Sequence, residues 1–231
     1  MIKEIKADLQ AALEKDPAAK SKWEVILTYS GFRVLVKYRI AHWLYKRKRT
    51  FLARLIMARA KKHTGIEIHP AAVIGHGIFI DHGSGIVIGE TTEIGNNVTI
   101  YQGVTLGGTG KDVGKRHPTI EDDVMVSAGA KVLGPVVIGK GSKIGAGSVV
   151  LKDVPPYCTV VGVPGRVVKM HGKKYVDEMD QKLPDPILDE LNRLNKRIAM
   201  LEDQLGIHAC RYSISQNAEN QEQNDDSQKD K

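Results

Sequence analysis

Aromatic residues and cysteines are scarce in this chain of 231 residues. Phe, Trp and Tyr make up 5% of it, whereas glycine is abundant at 23 residues, a composition that suits the narrow coils of a solenoid. The cysteines, Cys158 and Cys210, show no spacing that indicates a disulfide framework. A disulfide-stabilised secreted fold is therefore not expected.

Long hydrophobic runs are also lacking. No stretch approaches the roughly 20 consecutive apolar residues of a membrane-spanning helix, and residues 1–20 lack the apolar segment of a signal peptide. We therefore expect a cytoplasmic protein with no membrane partner.

Acidic residues are missing between Val25 and Ile66, although Lys and Arg are frequent there and the whole chain carries a formal charge of +7. Such a run can attract nucleic acid or an anionic membrane. No nucleic-acid recognition motif accompanies it, so we interpret it as the solvated face of helices and expect no nucleic-acid partner. Helical spacing of apolar residues predicts a helix over 1–15 and helical structure over 23–62, with breaks near Gly31 and near Arg49-Thr50.

A six-residue repeat dominates the middle of the chain. Such a repeat is typical of a parallel β-helix, in which each hexapeptide forms a short strand and a corner, and three hexapeptides complete a coil. We predict roughly five coils between Gly65 and Gly165. The repeated aliphatic residues, expected to point inward, are Ile74, Ile80, Ile88, Ile94, Ile100, Leu106, Ile120, Val126, Val132, Ile138, Ile144 and Val150.

Two interruptions break this repeat. The step from Ile80 to Ile88 is eight residues and contains Asp81-His82, and the step from Leu106 to Ile120 is fourteen and contains Arg116-His117. Insertions in a solenoid form surface loops, which often carry the binding site. We therefore expect the functional residues at these two interruptions.

The C-terminal part changes character after Pro184-Asp185-Pro186. Aliphatic residues at alternating steps of four and three predict a helix with a heptad seam, which either joins other copies of the chain or docks on its own solenoid. The polar tail, 207–231, is expected to be disordered. The seam consists of Ile187, Leu191, Leu194, Ile198, Leu201 and Leu205.

These motifs together resemble serine O-acetyltransferase, a member of the left-handed β-helix acyltransferases. The resemblance spans about residues 16–166. It is carried by Ile68-His69-Pro70, Ile80-Asp81-His82, Gly89-Glu90-Thr91, the run 104–111, Arg116-His117-Pro118 and 145–150.

The resemblance implies an α+β fold. Its parts are an N-terminal helical domain (1–64), a left-handed parallel β-helix (65–168), a linker with a C-terminal helix (169–206) and the tail. It implies transfer of acetyl from acetyl-CoA, as co-substrate, to the L-serine hydroxyl, which is the first step of cysteine biosynthesis from serine. It also implies a trimer or a dimer of trimers, with sites at subunit boundaries and feedback inhibition by L-cysteine.

A serine hydroxyl is a poor nucleophile, so its attack on a thioester needs a general base. His82 suits this role, because the ordinary pKa of histidine lies near neutral pH. By resemblance, Glu67 is its carboxylate partner, at a position where the family commonly has Asp. No metal is expected.

Serine is a zwitterion, so its site needs charges of both signs. The resemblance assigns its ammonium to Asp16 and Asp81. Its carboxylate needs a cation, and Arg116 offers a planar guanidinium that can form a bidentate hydrogen bond. His117 is expected beside the substrate, orienting it.

Acetyl-CoA is expected in a groove between neighbouring β-helices. Glycines in this groove allow backbone N–H groups to approach the thioester, small residues leave room for the pantetheine arm, and a lysine meets a CoA phosphate. The resemblance assigns these roles to Gly107, Gly108, Thr109, Ala128, Ala146 and Lys143.

Three other functions remain open at this point. A related acetyltransferase acting on a sugar or xenobiotic hydroxyl needs the same base, and a metal hydratase would use His76, His82 and His117 on Zn²⁺. A purely structural solenoid is the third. The family often docks a C-terminal Ile into O-acetylserine sulfhydrylase, whereas this sequence ends with Lys231, so we expect that complex to be absent or weak.

Overall fold

The computed structural model of the chain describes residues 1–110, 114–171, 173–174, 193–195, 197–198 and 200–201. It divides the chain into two units, Met1–Val176 and Asp177–Lys231. The described residues of the second unit are helical, and Leu194, Ile198 and Leu201 of the predicted seam are exposed. The rest of that seam and the polar tail lie outside the described residues. Among the described helices, none is long and apolar enough to cross a membrane.

The first unit begins with four helices, α1 (Ile2–Lys15), α2 (Lys22–Thr28), α3 (Ser30–Lys46) and α4 (Thr50–Thr64). Ser21 caps α2 by accepting a hydrogen bond from the N–H of Glu24 at 3.2 Å. α4 ends at Gly65, whose φ of 70° is the left-handed conformation that glycine adopts readily.

The break predicted near Gly31 is confirmed. It lies at Tyr29, and Gly31 itself is inside α3. A Cβ on Gly31 would overlap the backbone carbonyl oxygen of Ile80. This glycine therefore serves close packing of α3 on the β-helix, not termination of a helix.

The rest of the first unit is a parallel β-helix of about five coils, as the repeat predicted. Its strands are β1 (Glu67–Ile68), β2 (Val73–Ile74), β3 (Phe79–Asp81), β4 (Val87–Ile88), β5 (Glu93–Ile94), β6 (Thr99–Tyr101), β7 (Thr105–Gly107), β8 (Thr119–Ile120), β9 (Met125–Val126), β10 (Lys131–Leu133), β11 (Val137–Ile138), β12 (Lys143–Ile144), β13 (Val149–Val150), β14 (Cys158–Val161), β15 (Arg166–Met170) and β16 (Lys173–Lys174).

The strands form three sheets, which are the faces of a triangular prism. Sheet A has the order β1-β4-β7-β10-β13, sheet B has β2-β5-β8-β11, and sheet C has β3-β6-β9-β12-β14-β15-β16. The chain passes from A to B to C and back to A, so the corners align into an A/B edge, a B/C edge and a C/A edge.

All twelve repeated aliphatic residues are at most 7% exposed, which confirms that they point inward. A second inward column stands four residues further on and is also buried. It consists of Ile78, Thr92, Val98, Val104, Val124, Ala130, Val136, Ser142, Ser148 and Val154. Register pairs such as Ile88 with Leu106 stack each aliphatic residue on its equivalent in the next coil.

The C/A edge is built from stacked glycines with positive φ, at Gly85, Gly103, Gly129 and Gly147. A Cβ on Gly103 would come within 3.4 Å of the Cα of Gly129. Side chains on these glycines would therefore crowd the backbone of the next coil.

Sheet C continues past residue 168, the predicted end of the parallel β-helix, as an antiparallel extension. β15 turns back and pairs antiparallel with β14, and β16 pairs antiparallel with β15. The start of the predicted linker is therefore strand.

Candidate functional site

The first interruption of the repeat lies on the C/A edge, between β3 and β4. Asp81 ends β3. His82 follows with a φ of 54°, and its side chain is 75% exposed. Its Nε2 is 3.9 Å from a carboxylate oxygen of Asp81. The backbone conformation therefore presents the His82 imidazole to solvent beside a carboxylate.

Asp16 joins this group from the C-terminal end of α1. Its carboxylate accepts hydrogen bonds from the N–H of Ala18 at 2.8 Å and from the hydroxyl of Tyr29 at 2.6 Å. The Tyr29 bond, aided by Ala18 and by the nearby His82, lowers the pKa of Asp16, and the same bond raises the pKa of Tyr29 to about 12. Asp16 is thus held ionised near Asp81 and His82.

Tyr29 is a residue that sequence reasoning missed. It lies 13 residues from Asp16 at the break between α2 and α3. Apolar spacing predicts a break close to this position, but no motif marks Tyr29 as a partner of Asp16.

Glu67 lies in β1, directly after the C/A edge, and its side chain is 48% exposed. It accepts a hydrogen bond from Nζ of Lys61 at 2.5 Å. The structure thus gives Glu67 a cationic partner on α4. Among the described residues, the carboxylate that lies within 4.0 Å of the His82 ring is that of Asp81.

The second interruption lies on the A/B edge, between β7 and β8. Nη2 of Arg116 donates to Glu90 at 2.6 Å, and Nζ of Lys115 donates to Glu93 at 2.9 Å and to the carbonyl of Thr91 at 2.8 Å. Arg116 and Lys115 are thereby tied to the A/B corner one coil earlier and to β5, which follows that corner.

His117 is 8% exposed, and its Nδ1 lies 2.9 Å from the hydroxyl oxygen of Thr91. Burial, with Arg116 second, lowers the pKa of His117. Glu90 and Thr91 belong to the Gly89-Glu90-Thr91 motif, to which the sequence assigned no role.

The residues assigned to acetyl-CoA are also spread over the prism. Gly107 ends β7, and Gly108 and Thr109 follow it on the A/B edge. Ala128 and Ala146 lie on the C/A edge, and Lys143 is exposed on sheet C in a groove with Lys15 and Tyr101.

The two interruptions therefore occupy different edges of one prism. Sheet A separates them by roughly five residues, about 15 Å at about 3.3 Å per residue. Among the described residues, no hydrogen bond or ion pair links His82 to His117. One molecule of serine is too small to touch both edges of a single chain.

The three histidines considered as zinc ligands occupy three different edges, since His76 lies on the B/C edge between β2 and β3. Zinc needs its ligand nitrogens at about 2.0–2.1 Å. One chain does not bring these three side chains to a common metal.

Comparison with known proteins agrees with the fold and with the motifs. Residues 117–152 match the family model described as bacterial transferase hexapeptide (six repeats). The serine acetyltransferase of Bacillus licheniformis is 60% identical over 204 residues, which cover 88% of this chain and 94% of that protein.

Solved structures give the same result. A Neisseria gonorrhoeae serine acetyltransferase in complex with serine has a TM-score of 0.71 and 47% identity, covering 73% of this chain and 69% of that one. A serine acetyltransferase in complex with cysteine has a TM-score of 0.72 and 48% identity, covering 73% and 66%. With this identity over most of its length and with the same prism, the chain belongs to the serine acetyltransferase family.

Proposed function

We propose that this chain transfers acetyl from acetyl-CoA to the hydroxyl of L-serine, giving O-acetyl-L-serine and CoA, the first step of cysteine biosynthesis from serine. The observation that carries the proposal is that one interruption presents carboxylates beside a histidine and the other presents a guanidinium beside a histidine. One edge presents Asp16, Asp81 and His82, and the other presents Arg116 and His117. These are the groups that an amino-acid substrate with a reacting hydroxyl requires.

In the proposed reaction, His82 removes the proton from the serine hydroxyl as its oxygen attacks the thioester carbonyl carbon. The carbon–sulfur bond then breaks, CoA leaves as a thiolate, and the proton held by His82 returns to that sulfur. The exposed position of His82 suits a base that meets its substrate from solvent. Glu67 remains the proposed partner of its imidazole, in competition with Lys61.

In the proposed complex, the ammonium group and the carboxylate of serine are bound by residues on different edges. Asp16, kept ionised by Tyr29, and Asp81 receive the ammonium group. Arg116 receives the carboxylate with the guanidinium nitrogens that are not engaged by Glu90. This arrangement orients the hydroxyl toward His82.

We infer that two neighbouring copies complete each site, the C/A edge of one copy meeting the A/B edge of the next. The separation of about 15 Å across sheet A supports this inference. The acetyl-CoA residues show the same division, since Gly107, Gly108 and Thr109 lie on one edge and Ala128 and Ala146 on the other. A closed trimer, or a pair of such trimers, repeats one heterologous contact around an axis.

L-Cysteine is the proposed feedback ligand of the same site. It differs from L-serine only by sulfur in place of the hydroxyl oxygen, so Asp16, Asp81 and Arg116 bind both molecules by the same charges. The similar structure that holds cysteine supports this assignment.

The test is a thiol-release assay of acetyl-CoA with L-serine and with a panel of sugars and other hydroxyl acceptors. We expect rapid CoA release with L-serine and little with the panel. Faster release with a sugar would support the related acetyltransferase function instead.

Arg116→Ala separates the two substrates. It is expected to raise the KM for serine at least about tenfold, because a charge-assisted bond to the carboxylate is lost. It should leave the KM for acetyl-CoA within about twofold of the parent value. The control is Lys140→Met, which removes an exposed cation paired with Asp123. An equal rise in both KM values would mean that Arg116 holds acetyl-CoA or the loop.

A further inference from the structure

The imidazole of His117 is held by Thr91 through a single nitrogen. The backbone N–H of Thr91 donates to Nδ1 at 3.2 Å, and the Thr91 hydroxyl oxygen lies 2.9 Å from the same nitrogen. A backbone N–H can only donate. Nδ1 of His117 must therefore present its lone pair.

The direction of the hydroxyl bond follows from its other partners. Oγ1 of Thr91 accepts hydrogen bonds from the backbone N–H groups of Arg116 and His117, both at 3.1 Å. A hydroxyl has two acceptor lone pairs and one hydrogen. Because both lone pairs are used, the hydrogen is directed to Nδ1 of His117, and two donors converge on that nitrogen.

Two protonation states of His117 are disfavoured by this geometry. A proton on Nδ1, whether in the neutral ring or in the imidazolium, would face the N–H of Thr91 donor to donor. The charged and titratable groups around the ring are Arg116, Glu90, His69 and Lys115. Burial, with Arg116 second, lowers the pKa of His117. The neutral ring with its proton on Nε2 satisfies both contacts with Thr91.

The Nε2 side of the ring lies against bare backbone. A Cβ on Gly89 would overlap Cδ2 and Nε2 of His117, and a Cβ on Gly108 would come within 3.3 Å of Nε2. Gly89 therefore makes room for the ring. Gly108 is one of the residues assigned to the thioester.

We propose that Thr91 is a positioning residue that fixes His117 as the Nε2–H tautomer, so that His117 donates a hydrogen bond to a substrate oxygen and is not a base. The tautomer rests on the hydrogen bonds to Thr91. Its meaning for catalysis rests on the proposed function, in which the base is His82 on the other edge. The acceptor is a carboxylate or carbonyl oxygen, since Nε2–H offers a donor and no lone pair.

The experiment compares Thr91→Val, which removes the hydroxyl at nearly constant shape, with Thr91→Ser, which keeps it. The ring ¹⁵N signals of His117 in the full-length chain, assigned by their loss in His117→Gln, report the tautomer directly. In the parent and in Thr91→Ser, we expect Nδ1 to be unprotonated and Nε2 to be protonated across the range around neutral pH, from about pH 6 to about pH 8. In Thr91→Val, the other tautomer and the imidazolium should appear, and the imidazolium should be most abundant at the acid end.

Activity provides the second readout. Thr91→Val should lower kcat/KM by about threefold to tenfold, as expected for the loss of one hydrogen bond, with the largest loss at the acid end of the profile. Thr91→Ser should restore it. A proton on Nδ1 in the parent, or a Thr91→Val variant with the parent tautomer and pH profile, would overturn the proposal. An inactive parent with Nε2–H intact would refute the proposed function and leave the tautomer standing.

Discussion

The backbone conformation of His82 directs its side chain toward solvent. Few non-glycine residues adopt a positive φ, although histidine does so more readily than most, and His82 has a φ of 54° with its ring 75% exposed. Little packing therefore depends on its side chain. A variant at this position reports on chemistry with little effect on folding.

We expect His82→Ala to lower kcat by about 10²–10⁴-fold, because a positioned general base contributes that much. Circular dichroism and melting should remain those of the parent. His76→Ala, an exposed histidine on the B/C edge, is the matched control and should keep full activity. A His82→Ala rate within about threefold of the parent would remove His82 from the role of base.

Tyr29 acts on Asp16 in a way that can be measured. Its hydroxyl bond lowers the pKa of Asp16 in the folded protein, so Tyr29→Phe should raise that pKa toward its usual value and let Asp16 lose its charge at a higher pH. A ¹³C titration of the Asp16 carboxyl group measures this change.

The same variant should raise the KM for serine by about threefold to tenfold, the effect of one lost hydrogen bond, and leave the KM for acetyl-CoA unchanged. Tyr157→Phe, in the last coil, is the control for removing a tyrosine hydroxyl. Unchanged serine binding in Tyr29→Phe would show that Asp16 does not depend on this bond.

Among the elements, α1 and α3 are fixed to the β-helix by a buried ion pair. Arg39 and Asp8 are 5% and 1% exposed, and Nη2 of Arg39 donates to Asp8 at 2.9 Å. Arg39 also donates to the carbonyl of Ile74 at 2.7 Å, and Asp8 accepts from the N–H of Ile78 at 3.0 Å. Both helices are thus tied to the first B/C corner, which keeps Asp16 near the C/A edge.

Arg39→Met is expected to lower the free energy of unfolding by about 3–5 kcal/mol, because it leaves the buried Asp8 carboxylate unpaired. Urea denaturation at a fixed protein concentration measures the change. Lys46→Met, exposed on the same helix, should change it by no more than about 0.5 kcal/mol. Equal midpoints for the two variants would mean that the pair does not stabilise the docking.

The β-helix could be predicted from local patterns, because each six-residue segment has its own inward aliphatic residue, such as Ile88 or Leu106. The breaks in that pattern also singled out His82 and His117. The same reasoning did not show why residue 31 is a glycine, since the atoms that its Cβ would overlap belong to Ile80, far along the chain.

The hydrogen bonds that hold the site residues in place could not be predicted from local sequence patterns. Thr91 meets His117 across 26 residues, and Tyr29 meets Asp16 across a helix. No spacing rule encodes these pairs. They exist because the coils stack one corner on the next and because α3 packs on the outside of the first coil.

At the scale of the whole molecule, the residues proposed for catalysis and for substrate binding lie on two edges that one chain cannot bring together. The proposed assembly resolves this, because each contact between copies joins one C/A edge to one A/B edge. A single copy then holds two half-sites and no complete one. Activity should depend on assembly.

Mixing two variants that are damaged in different half-sites measures this division most directly. His82→Ala damages only the C/A half-site and His117→Ala only the A/B half-site. In assemblies refolded from equal amounts of both, a site is intact when a His117→Ala copy supplies His82 and its neighbour, a His82→Ala copy, supplies His117. Random assembly of a ring therefore predicts about a quarter of the parent activity.

The control is a chain that carries both substitutions, refolded with either single variant, in which no intact site can form. Two different affinity tags confirm that the copies mix. Recovery of about a quarter of the parent rate of O-acetyl-L-serine formation from the two single variants is the result expected of a closed ring with shared sites. Mixed assemblies that remain as inactive as their components would contradict the account.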